Sequence, residues 1–575
     1  MRIPKAASRP TRGRARVSPG AVLLAFALLG AAGGAWWLTR TRGLDWSVSR
    51  GLQLLAQAGS SDAADHAVRQ WERETGAAWT NRHEELAARI LNRYEVDDPR
   101  VQRMLARVTG TDYGDRTADW QRFRDDWKRR RAGEPPKLAS VDRVRLERLW
   151  RAPVGLTAWF SAVLPIDDAV YVASLGAAFD DAGDEADGVV RVRADGAVEY
   201  LFRSTERGPR DVMGLAAGDD GLFVACRNGF VHFVNRNGVE RWKQNIGAAI
   251  IAPPLSLDVN RDGVSDGVIA ARGGKLAAIS GVSGKIIWST AGARRHGAPG
   301  DESVGVRLAA GRVLGGSAPD ILVTAADGSV RVLTASTGAT RGETSAAAGI
   351  LAGPVANSAV DGVGGYIADQ RATIYRVERA RGGLRVAPTW SAALDFSASV
   401  VAAPRTVGAP DGPPQVLVCT AGPFEGPGSS VGLYGVEGAR WRVGTRGVVW
   451  GAPVVANLNE DRALEIAVTT IERDAAGAER GVLVILSSAG HVLREIALEA
   501  PAECSPAVAD LDGDGKLELL IADRAGWLHC FATHGRGPVE WGCLAGDSHN
   551  SGESENAYSY GQSPPGYQWG WKPIH

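Results

Sequence analysis

A repeat of about 50 residues is the feature that most constrains how this chain folds. Short apolar runs recur at this spacing and end in tryptophan, at Trp150, Trp242, Trp288, Trp390, Trp441 and Trp541. Less regular copies occupy the gaps, at Tyr200, Arg341 and Arg494. The nine marks enclose eight intervals, each long enough for one four-stranded propeller blade. The repeat therefore predicts an all-β, eight-bladed β-propeller, and seven blades remain the alternative if one interval is an insertion.

A second marker recurs in the same phase as the tryptophans. It consists of two apolar strands joined by a short polar turn, as in GLFVACRNGFVHFVN, DILVTAADGSVRVLT and LELLIADRAGWLHCF. The 72 glycines and 28 prolines lie between such short runs, which is typical of the many turns in an all-β protein. Together the two markers place the propeller at residues 141–543. Radial repetition of blades leaves only short, protected sheet edges.

Three acidic loops carry oxygen ligands at alternate positions, a pattern that suits calcium. In the loop of residues 258–266 the predicted ligands are Asp258, Asn260, Asp262, the carbonyl of Val264, and Asp266. In the loop of residues 510–518 they are Asp510, Asp512, Asp514, the carbonyl of Lys516, and Glu518. The loop of residues 457–465 lacks glycine and is predicted to bind weakly or not at all, although it retains Asn457, Asn459, Asp461 and Glu465.

The two stronger loops are not EF-hands. Position 12 of an EF-hand loop is a bidentate glutamate, and here it is Ile269 or Ile521. Without a cation, four carboxylates beside the single Lys516 would repel one another. We therefore expect two structural calcium ions (Ca²⁺), and ordinary Asp-Gly turns without an ion are the alternative.

The element SGKIIWST is similar to the repeats of quinoprotein-like (PQQ-repeat) propellers, and the acidic loops resemble the FG-GAP repeats of integrin α-chain propellers. The resemblance covers roughly Val141 to Cys543. It implies that the loops bind calcium between strands of a blade and leave no open position for a substrate. Such propellers include enzymes and inert scaffolds, so the resemblance predicts the fold rather than the function.

The N-terminus has the pattern of a membrane anchor. Six basic residues lie within residues 1–16, and an uncharged, largely apolar run follows at residues 17–38. A helix of about 20 such residues crosses a bilayer, and the basic excess keeps its own side in the cytoplasm. The pattern predicts a single-pass transmembrane helix with the bulk of the chain periplasmic or extracellular. A cleaved signal peptide is the alternative, because GAAGGA offers small residues for cleavage.

Residues 44–133 have helical periodicity and are predicted to form a small helical spacer. The segment TGTDYGDRTADWQRFRDDW, from Thr109 to Trp127, resembles the closing motif of some bacterial HEAT-type helical repeats. Its aromatic residues Trp120, Phe123 and Trp127 are predicted to lie in a core, with a partner-docking face as the alternative.

Composition narrows the function further. The 65 basic and 65 acidic residues cancel, which argues against a general nucleic-acid binder. The five cysteines form no CxxC and are predicted to be buried free thiols, with a Cys530–Cys543 bridge as the alternative. The C-terminal tail, residues 544–575, is rich in glycine, serine and aromatic residues, and it either forms a recognition arm or packs along the propeller face.

These features predict a membrane-anchored, exported propeller that acts as a calcium-stabilised binding or scaffold module rather than an enzyme. Its expected partner is an envelope or extracellular protein, or a polysaccharide. Two alternatives remain open: a quinone-dependent dehydrogenase or carbohydrate-active enzyme, and a calcium-dependent adhesion protein. The quinone resemblance implies a vicinal cysteine pair in alcohol dehydrogenases of that family, and this sequence has none.

Overall fold

The computed structural model describes most of the chain between residues 43 and 551. The described stretches are residues 43–80, 82–134, 144–157, 163–176, 187–250, 252–290, 306–316, 318–350, 352–356, 362–381, 383–391, 405–407 (backbone), 415–422, 429–435, 438–461, 463–474 and 476–551. The predicted cytoplasmic segment 1–16 and transmembrane helix 17–38 lie outside them. Within the described stretches, no helix combines the length and the apolar character needed to cross a bilayer.

The chain divides into two compact units, residues 1–94 and 95–575. The described part of the first unit is helical, with α1 at residues 43–56, α2 (Ser61–Thr75), a 3₁₀ turn (Gly76–Ala78) and α3 (His83–Arg93). Ser60 caps α2 by accepting a hydrogen bond from the backbone N–H of Ala63. Trp71 and Trp79 are buried and stack at a centroid distance of 5.2 Å, so two indoles form much of this small core.

The second unit begins with two helices, α4 (Pro99–Thr109) and α5 (Thr117–Arg131). Asp98 caps α4, proline occupies its first position, and Gly110 ends it in the left-handed conformation at φ 74°. The predicted apolar face of α4 is buried, at Val101, Met104, Leu105 and Val108. The predicted helical spacer thus falls into two parts, and its second part belongs to the same compact unit as the β-structure.

Thirty-three strands follow in the described residues, and they form eight antiparallel sheets. The first strand is β1 (Glu147–Pro153). Blade 1 consists of β2 (Val163–Ile166), β3 (Ala169–Leu175), β4 (Asp187–Arg193) and β5 (Val198–Phe202). Blade 2 consists of β6 (Val212–Gly218), β7 (Gly221–Cys226), β8 (Phe230–Asn235) and β9 (Glu240–Asn245). Blade 3 consists of β10 (Leu255–Leu257), β11 (Asp266–Ala271), β12 (Lys275–Ile279) and β13 (Ile286–Thr290), and blade 4 of β14 (Arg307–Gly311), β15 (Asp320–Thr324), β16 (Ser329–Thr334) and β17 (Thr340–Ser345). Blade 5 is β18 (Val355–Ala356), β19 (Val363–Ala368), β20 (Thr373–Ala380), β21 (Gly383–Ser391); blade 6 is β22 (Arg405–Val407), β23 (Gln415–Thr420), β24 (Ser430–Gly435), β25 (Gly438–Gly444); blade 7 is β26 (Val454–Ala456), β27 (Glu465–Arg473), β28 (Glu479–Ser487), β29 (Val492–Ala497); blade 8 is β30 (Ala507–Ala509), β31 (Glu518–Ala522), β32 (Trp527–Ala532). The last strand is β33 (Val539–Trp541).

The prediction of eight blades is confirmed. Seven sheets take their four blade strands from consecutive sequence, and blade 8 takes its outer strand from β1 at the other end of the propeller sequence. β1 pairs antiparallel with β32, from Glu147 opposite Ala532 to Pro153 opposite Trp527. Because one sheet contains strands from both ends, the ring is closed by backbone hydrogen bonds and leaves no blade incomplete.

Five of the six tryptophan marks lie on outer strands of the blades, all except Trp541. The indole Nε1 donates to a backbone carbonyl of the next blade in four cases: Trp150 to Ala194 at 2.7 Å, Trp242 to Gly281 at 2.8 Å, Trp288 to Ala335 at 2.7 Å and Trp441 to Ser488 at 2.9 Å. Glycine is required under the ring: a Cβ on Gly338, whose φ is +67°, would lie 2.6 Å from Trp288. The repeat seen in the sequence is therefore an inter-blade contact.

Strand pairing shows that three of the nine marks, Tyr200, Arg341 and Trp541, do not occupy the position that the other tryptophans share. The tryptophans sit where the outer strand changes register, as Trp242 does opposite Phe233. Phe202 and Gly342 occupy that position in blades 1 and 4, rather than the marked Tyr200 and Arg341. Trp541 lies on β33, which pairs with the inner strand β26 and is not an outer strand at all.

Candidate functional site

The three acidic loops occupy the same place in their blades. Residues 258–266, 457–465 and 510–518 connect the inner strand to the second strand of blades 3, 7 and 8, and are called loop 3, loop 7 and loop 8. The last carboxylate of each loop is the first residue of the second strand, and it is buried in each case. The three loops, which recur in phase with the repeat of the sequence, therefore occupy equivalent positions in their blades.

Loop 8 gathers its side chains around its own backbone. Asp510 accepts hydrogen bonds from Gly513 N at 2.9 Å and Gly515 N at 3.0 Å, and Asp514 accepts from Lys516 N at 2.7 Å. Carboxylate oxygens of Asp510, Asp512 and Asp514 lie within 4.8 Å of one another. Three oxygens at this separation can coordinate one hard cation.

Loop 3 repeats the backbone turn in blade 3, but its carboxylate oxygens do not converge as those of loop 8 do, and Asn260 Nδ2 donates to Asp262 Oδ2 at 2.9 Å. Asp258 accepts from Arg261 N at 2.7 Å and from Gly263 N at 3.1 Å. Asp262 accepts from Val264 N at 2.9 Å. The closing carboxylates match as well, since Asp266 Oδ2 accepts from Val259 N at 3.0 Å and Glu518 Oε2 accepts from Leu511 N at 2.8 Å. The structure therefore brings the predicted ligand residues of each loop into one turn.

The buried closing carboxylates favour a cation. Burial raises the pKa of Asp266 to about 6 and that of Glu518 to about 7, and neighbouring carboxylates add to the rise. Backbone N–H donors oppose the rise in both groups. Blade 4 places Asp320 at the equivalent position and supplies Arg341 Nη1 at 2.5 Å from Asp320 Oδ1. Within the described residues, no hydrogen bond or ion pair joins a guanidinium to Asp266 or Glu518, and Lys516 Nζ lies 3.1 Å from Asp514 Oδ2 in loop 8; the remaining carboxylates fit calcium.

In loop 7, the side-chain amides of asparagine residues donate hydrogen bonds to the acidic groups of the loop. Asn459 Nδ2 donates to Asp461 Oδ2 at 3.0 Å and to Glu465 Oε1 at 3.1 Å. Asn457 Nδ2 donates to the backbone oxygen of Asp461. An amide that bridges two carboxylates occupies the place of a cation, which favours the prediction of weak or no binding.

The central axis of the propeller is occupied by the chain itself. β33 pairs with the inner strand β26, and residues 542–551 then run along the inner strands of further blades. Their carbonyl oxygens accept four backbone N–H groups: Gly542 from Val508 at 2.8 Å, Ser548 from Ala217 at 2.7 Å, His549 from Ser256 at 2.9 Å and Ser551 from Ala310 at 2.7 Å. This axial segment, residues 542–551, satisfies donors that inner strands leave exposed to the channel.

Polar side chains hold the axial segment in shape. Asp547 accepts from the N–H groups of His549 and Ser551 and from the Ser551 hydroxyl at 2.6 Å. Asn550, at φ +56°, donates its amide to Leu215 O at 2.7 Å and Pro254 O at 2.8 Å. Sequence reasoning missed this role because a polar, glycine-containing stretch after the last blade has the composition of a solvent-exposed tail.

The structure places the first part of the predicted tail in neither predicted location. Residues 544–551 lie in the axis, so the propeller extends beyond the predicted boundary at Cys543. The aromatic residues of the tail lie outside the described residues: Tyr558, Tyr560, Tyr567, Trp569 and Trp571.

One hydrogen-bonded chain has the order of a catalytic triad. Ser204 Oγ lies 3.1 Å from His232 Nε2, and His232 Nδ1 lies 2.6 Å from Glu240 Oε2. The serine and the histidine are buried, whereas the glutamate side chain is 34% exposed. A nucleophilic serine has to meet substrate, and here the acid end faces solvent instead. The arrangement therefore supports a contact between blades 1 and 2.

The five cysteines are buried thiols, as predicted. None is in a disulfide, so the alternative Cys530–Cys543 bridge is not formed in this structure. Burial raises the pKa of the Cys226 and Cys504 thiols to about 12, which keeps them protonated at neutral pH.

No family model matches the sequence, and no curated protein matches it. Among solved structures, BamB from Moraxella catarrhalis is 14% identical, with 68% of this chain and 100% of that chain covered at a TM-score of 0.44. Sqt1 from Saccharomyces cerevisiae is 10% identical, with 68% and 98% covered at 0.47. A europium-containing methanol dehydrogenase is 13% identical, with 68% and 93% covered at 0.47. These chains are neighbours in fold, and the likeness assigns no activity.

Proposed function

We propose that this protein is an exported, membrane-anchored scaffold whose calcium-braced propeller binds another protein. The observation that carries the proposal is the filled axis. The axial segment hydrogen-bonds to inner strands of blades 2, 3, 4 and 8, and β33 adds blade 7. A ring fastened across its centre in this way is rigid, and it leaves its faces and rim as the surfaces available for contact.

Calcium in loops 3 and 8 would brace the ring without taking part in chemistry. Each ion would join an inner strand to its second strand through Asp266 or Glu518, which are buried and have raised pKa values. An exported protein meets calcium at concentrations that fill even millimolar sites, so constant occupancy is expected. A bound metal stabilises the fold that binds it.

The second candidate is a quinone-dependent dehydrogenase, which the SGKIIWST-type repeats favour by resemblance. An axial cofactor and the axial segment would compete for the same space at the level of Ala217, Ser256 and Ala310. This competition is why we rank the scaffold first.

The test begins with tagged, full-length protein purified from gently solubilised membranes in calcium, beside an unrelated tagged membrane protein as the control. Any stoichiometric partner is then produced separately and mixed with the purified chain, and the mass of the complex is measured by light scattering. A defined complex of the two purified proteins supports the proposal. Dye reduction with an alcohol or aldose after addition of pyrroloquinoline quinone and calcium would instead establish the enzyme.

A further inference from the structure

The junction between blades 7 and 8 holds an open cleft at the rim of the ring. Its volume is about 320 Å³, within the range of small-ligand sites. The floor is apolar and includes Ile496, Leu498 and Phe531. The polar groups come from Arg148, Arg494, Glu499 and His529. The cleft lies between β29 of blade 7 and the strands β1 and β32 of blade 8.

This junction lacks both the inter-blade tryptophan, which blades 1 and 4 lack as well, and the turn that would accept it. Arg494, opposite Ile485 at the register shift of blade 7, occupies the position that Trp441 occupies opposite Leu433 in blade 6. At the junctions that have this contact, the indole donates to a carbonyl in the turn between the third and the outer strand of the next blade. Blade 8 has no such turn, because its outer strand β1 comes from the other end of the propeller sequence. At four other junctions an indole from the preceding blade donates its N–H to the next blade.

His529 gives the cleft an unsatisfied polar group. The side chain is 1% exposed, and Nε2 lies 2.8 Å from Asp523 Oδ2. Donation of the Nε2 proton to that carboxylate leaves Nδ1 as an acceptor in the neutral ring. In the described structure, Nδ1 is buried and has no hydrogen-bond partner. Because Nδ1 is buried, an N–H or O–H group of a ligand reaches it only when the side chains lining the cleft move apart, and it would then remove this penalty.

The rim of the cleft is positively charged. Arg148 and Arg151 both pair with Glu499, so one acidic group faces two guanidinium groups. Arg494 is exposed and makes no ion pair within the described residues. This excess favours an acidic ligand, because complementary charge steers and orients a partner.

We propose that the cleft binds an aromatic side chain with a polar N–H or O–H, best a tryptophan, from an acidic segment of the partner protein. The partner's indole would fill the place that Trp441 fills at the preceding junction and donate to His529 Nδ1. Tryptophan is also the residue most often found as an energetic anchor of protein interfaces. This inference rests on the proposed scaffold function and names where the partner is held.

The first test uses indole-3-acetate as the probe on the full-length protein, with binding followed by saturation-transfer NMR. 1-Methylindole-3-acetate lacks the N–H donor and is expected to bind roughly two- to tenfold more weakly, as for the loss of one hydrogen bond. Tryptamine, which carries a cation instead of the carboxylate, is expected not to bind. Equal binding of all three probes would overturn the assignment of His529 and the arginines.

The second test fills the cleft from within. Arg494→Trp restores the indole of the other junctions, so it is expected to abolish probe binding without lowering the melting temperature. Arg385→Trp, on the exposed outer strand β21, is the matched control and is expected to leave binding unchanged. Equal loss of binding in both variants would count against the cleft. Stronger probe binding after removal of residues 552–575 would show that the chain's own tail is the occupant and would overturn the partner assignment.

The same variant separates this inference from the proposed function. A partner that binds Arg494→Trp as tightly as the unmodified chain overturns the inference and leaves the scaffold intact. A failure to find any stoichiometric partner overturns the scaffold itself.

Discussion

Each inter-blade tryptophan combines an indole hydrogen bond with packing on a glycine. Trp288 is 9% exposed and donates to Ala335 O at 2.7 Å, while Gly338 provides the flat surface beneath its ring. The contact needs both residues at once, because any side chain on the glycine would displace the indole. This explains why tryptophan and glycine recur together in the sequence.

Trp288→Ala is expected to lower the free energy of unfolding by about 3–5 kcal/mol, since it leaves a cavity and an unpaired carbonyl. Trp288→Phe should cost less because it retains part of the packing. Urea titration measures both. Trp46→Ala is the control: this tryptophan is 53% exposed, and its loss should change stability by under about 0.5 kcal/mol. Similar values for Trp288→Ala and Trp46→Ala would contradict the inter-blade role.

Calcium binding is a second prediction at the residue scale. Equilibrium dialysis is expected to find two Ca²⁺ per chain, and chelation should lower the melting temperature. Asp512→Asn is expected to remove one ion, because loop 8 depends on converging carboxylates. Asp461→Asn in loop 7 is the matched control and should leave both ions bound, because amide groups already bridge its acids. A third ion lost on Asp461→Asn would show that loop 7 is also a site.

At the scale of elements, α4 and α5 behave as part of the propeller. Residue 112, between the helices, extends the sheet of blade 6, since the backbones of Asp112 and Arg442 exchange hydrogen bonds of 2.7 and 2.8 Å. Tyr113 donates to Gly490 O at 3.1 Å, and His491 Nε2 lies 2.8 Å from Asp119 Oδ1. Trp120 is buried as predicted, whereas Phe123 and Trp127 are only half-buried. Tyr113 and His491 connect this aromatic group to blade 7.

His491 makes this docking sensitive to acid. Burial lowers its pKa below the usual value of about 6.5; Arg122 and Arg116 also lower it, and Asp119 opposes the shift. A folded-state pKa below the unfolded one means that the unfolded chain binds the proton first. The contribution of neutral His491 is therefore complete above about pH 6.5 and is lost as the pH falls through the lowered pKa.

His491→Asn is expected to cost about 1 kcal/mol near neutral pH, the value of a buried hydrogen bond. The difference in unfolding free energy between the unmodified chain and this variant should shrink as the pH falls from about 7.5 to about 5. Urea titrations at both pH values measure it. A difference that stays constant or grows at low pH would show that His491 remains well paired when protonated.

On the scale of the whole molecule, two separate sets of backbone hydrogen bonds hold the blades of the ring together. β1 completes blade 8 at the rim, and the axial segment joins inner strands at the centre. These two sets of contacts use the two ends of the propeller sequence, so both join residues that are far apart along the chain.

Stopping the chain after Ser551 is expected to leave the propeller as stable as before, because this truncation retains the axial segment. Stopping it after Trp541 exposes four inner-strand N–H groups that the segment satisfies, each worth about 1–3 kcal/mol if left unpaired. We expect a loss of at least about 3 kcal/mol, measured by urea titration. Equal stability of the two truncations would show that water satisfies these groups equally well.

Local spacing explains what could be predicted. The acidic loops and their ligand residues were read correctly as turns because alternate oxygens and glycines lie within nine residues, as in 510–518. The register position held by Gly342 was misread as Arg341, because a one-residue bulge is decided by strand pairing. The cleft escaped prediction because it arises from the missing tryptophan at Arg494 together with a strand that comes from the other end of the chain.

By itself the sequence determined the β-propeller, its eight blades and the acidic turns, because each is encoded by a repeat of short-range spacing. Only the tertiary structure decided that β1 closes blade 8, that residues 542–551 occupy the axis and that Arg341 neutralises Asp320 in blade 4. Those contacts join residues that are distant in sequence or chosen by strand register. Periodicity carries no signal for them, since these partners become neighbours only when a blade or the ring is assembled.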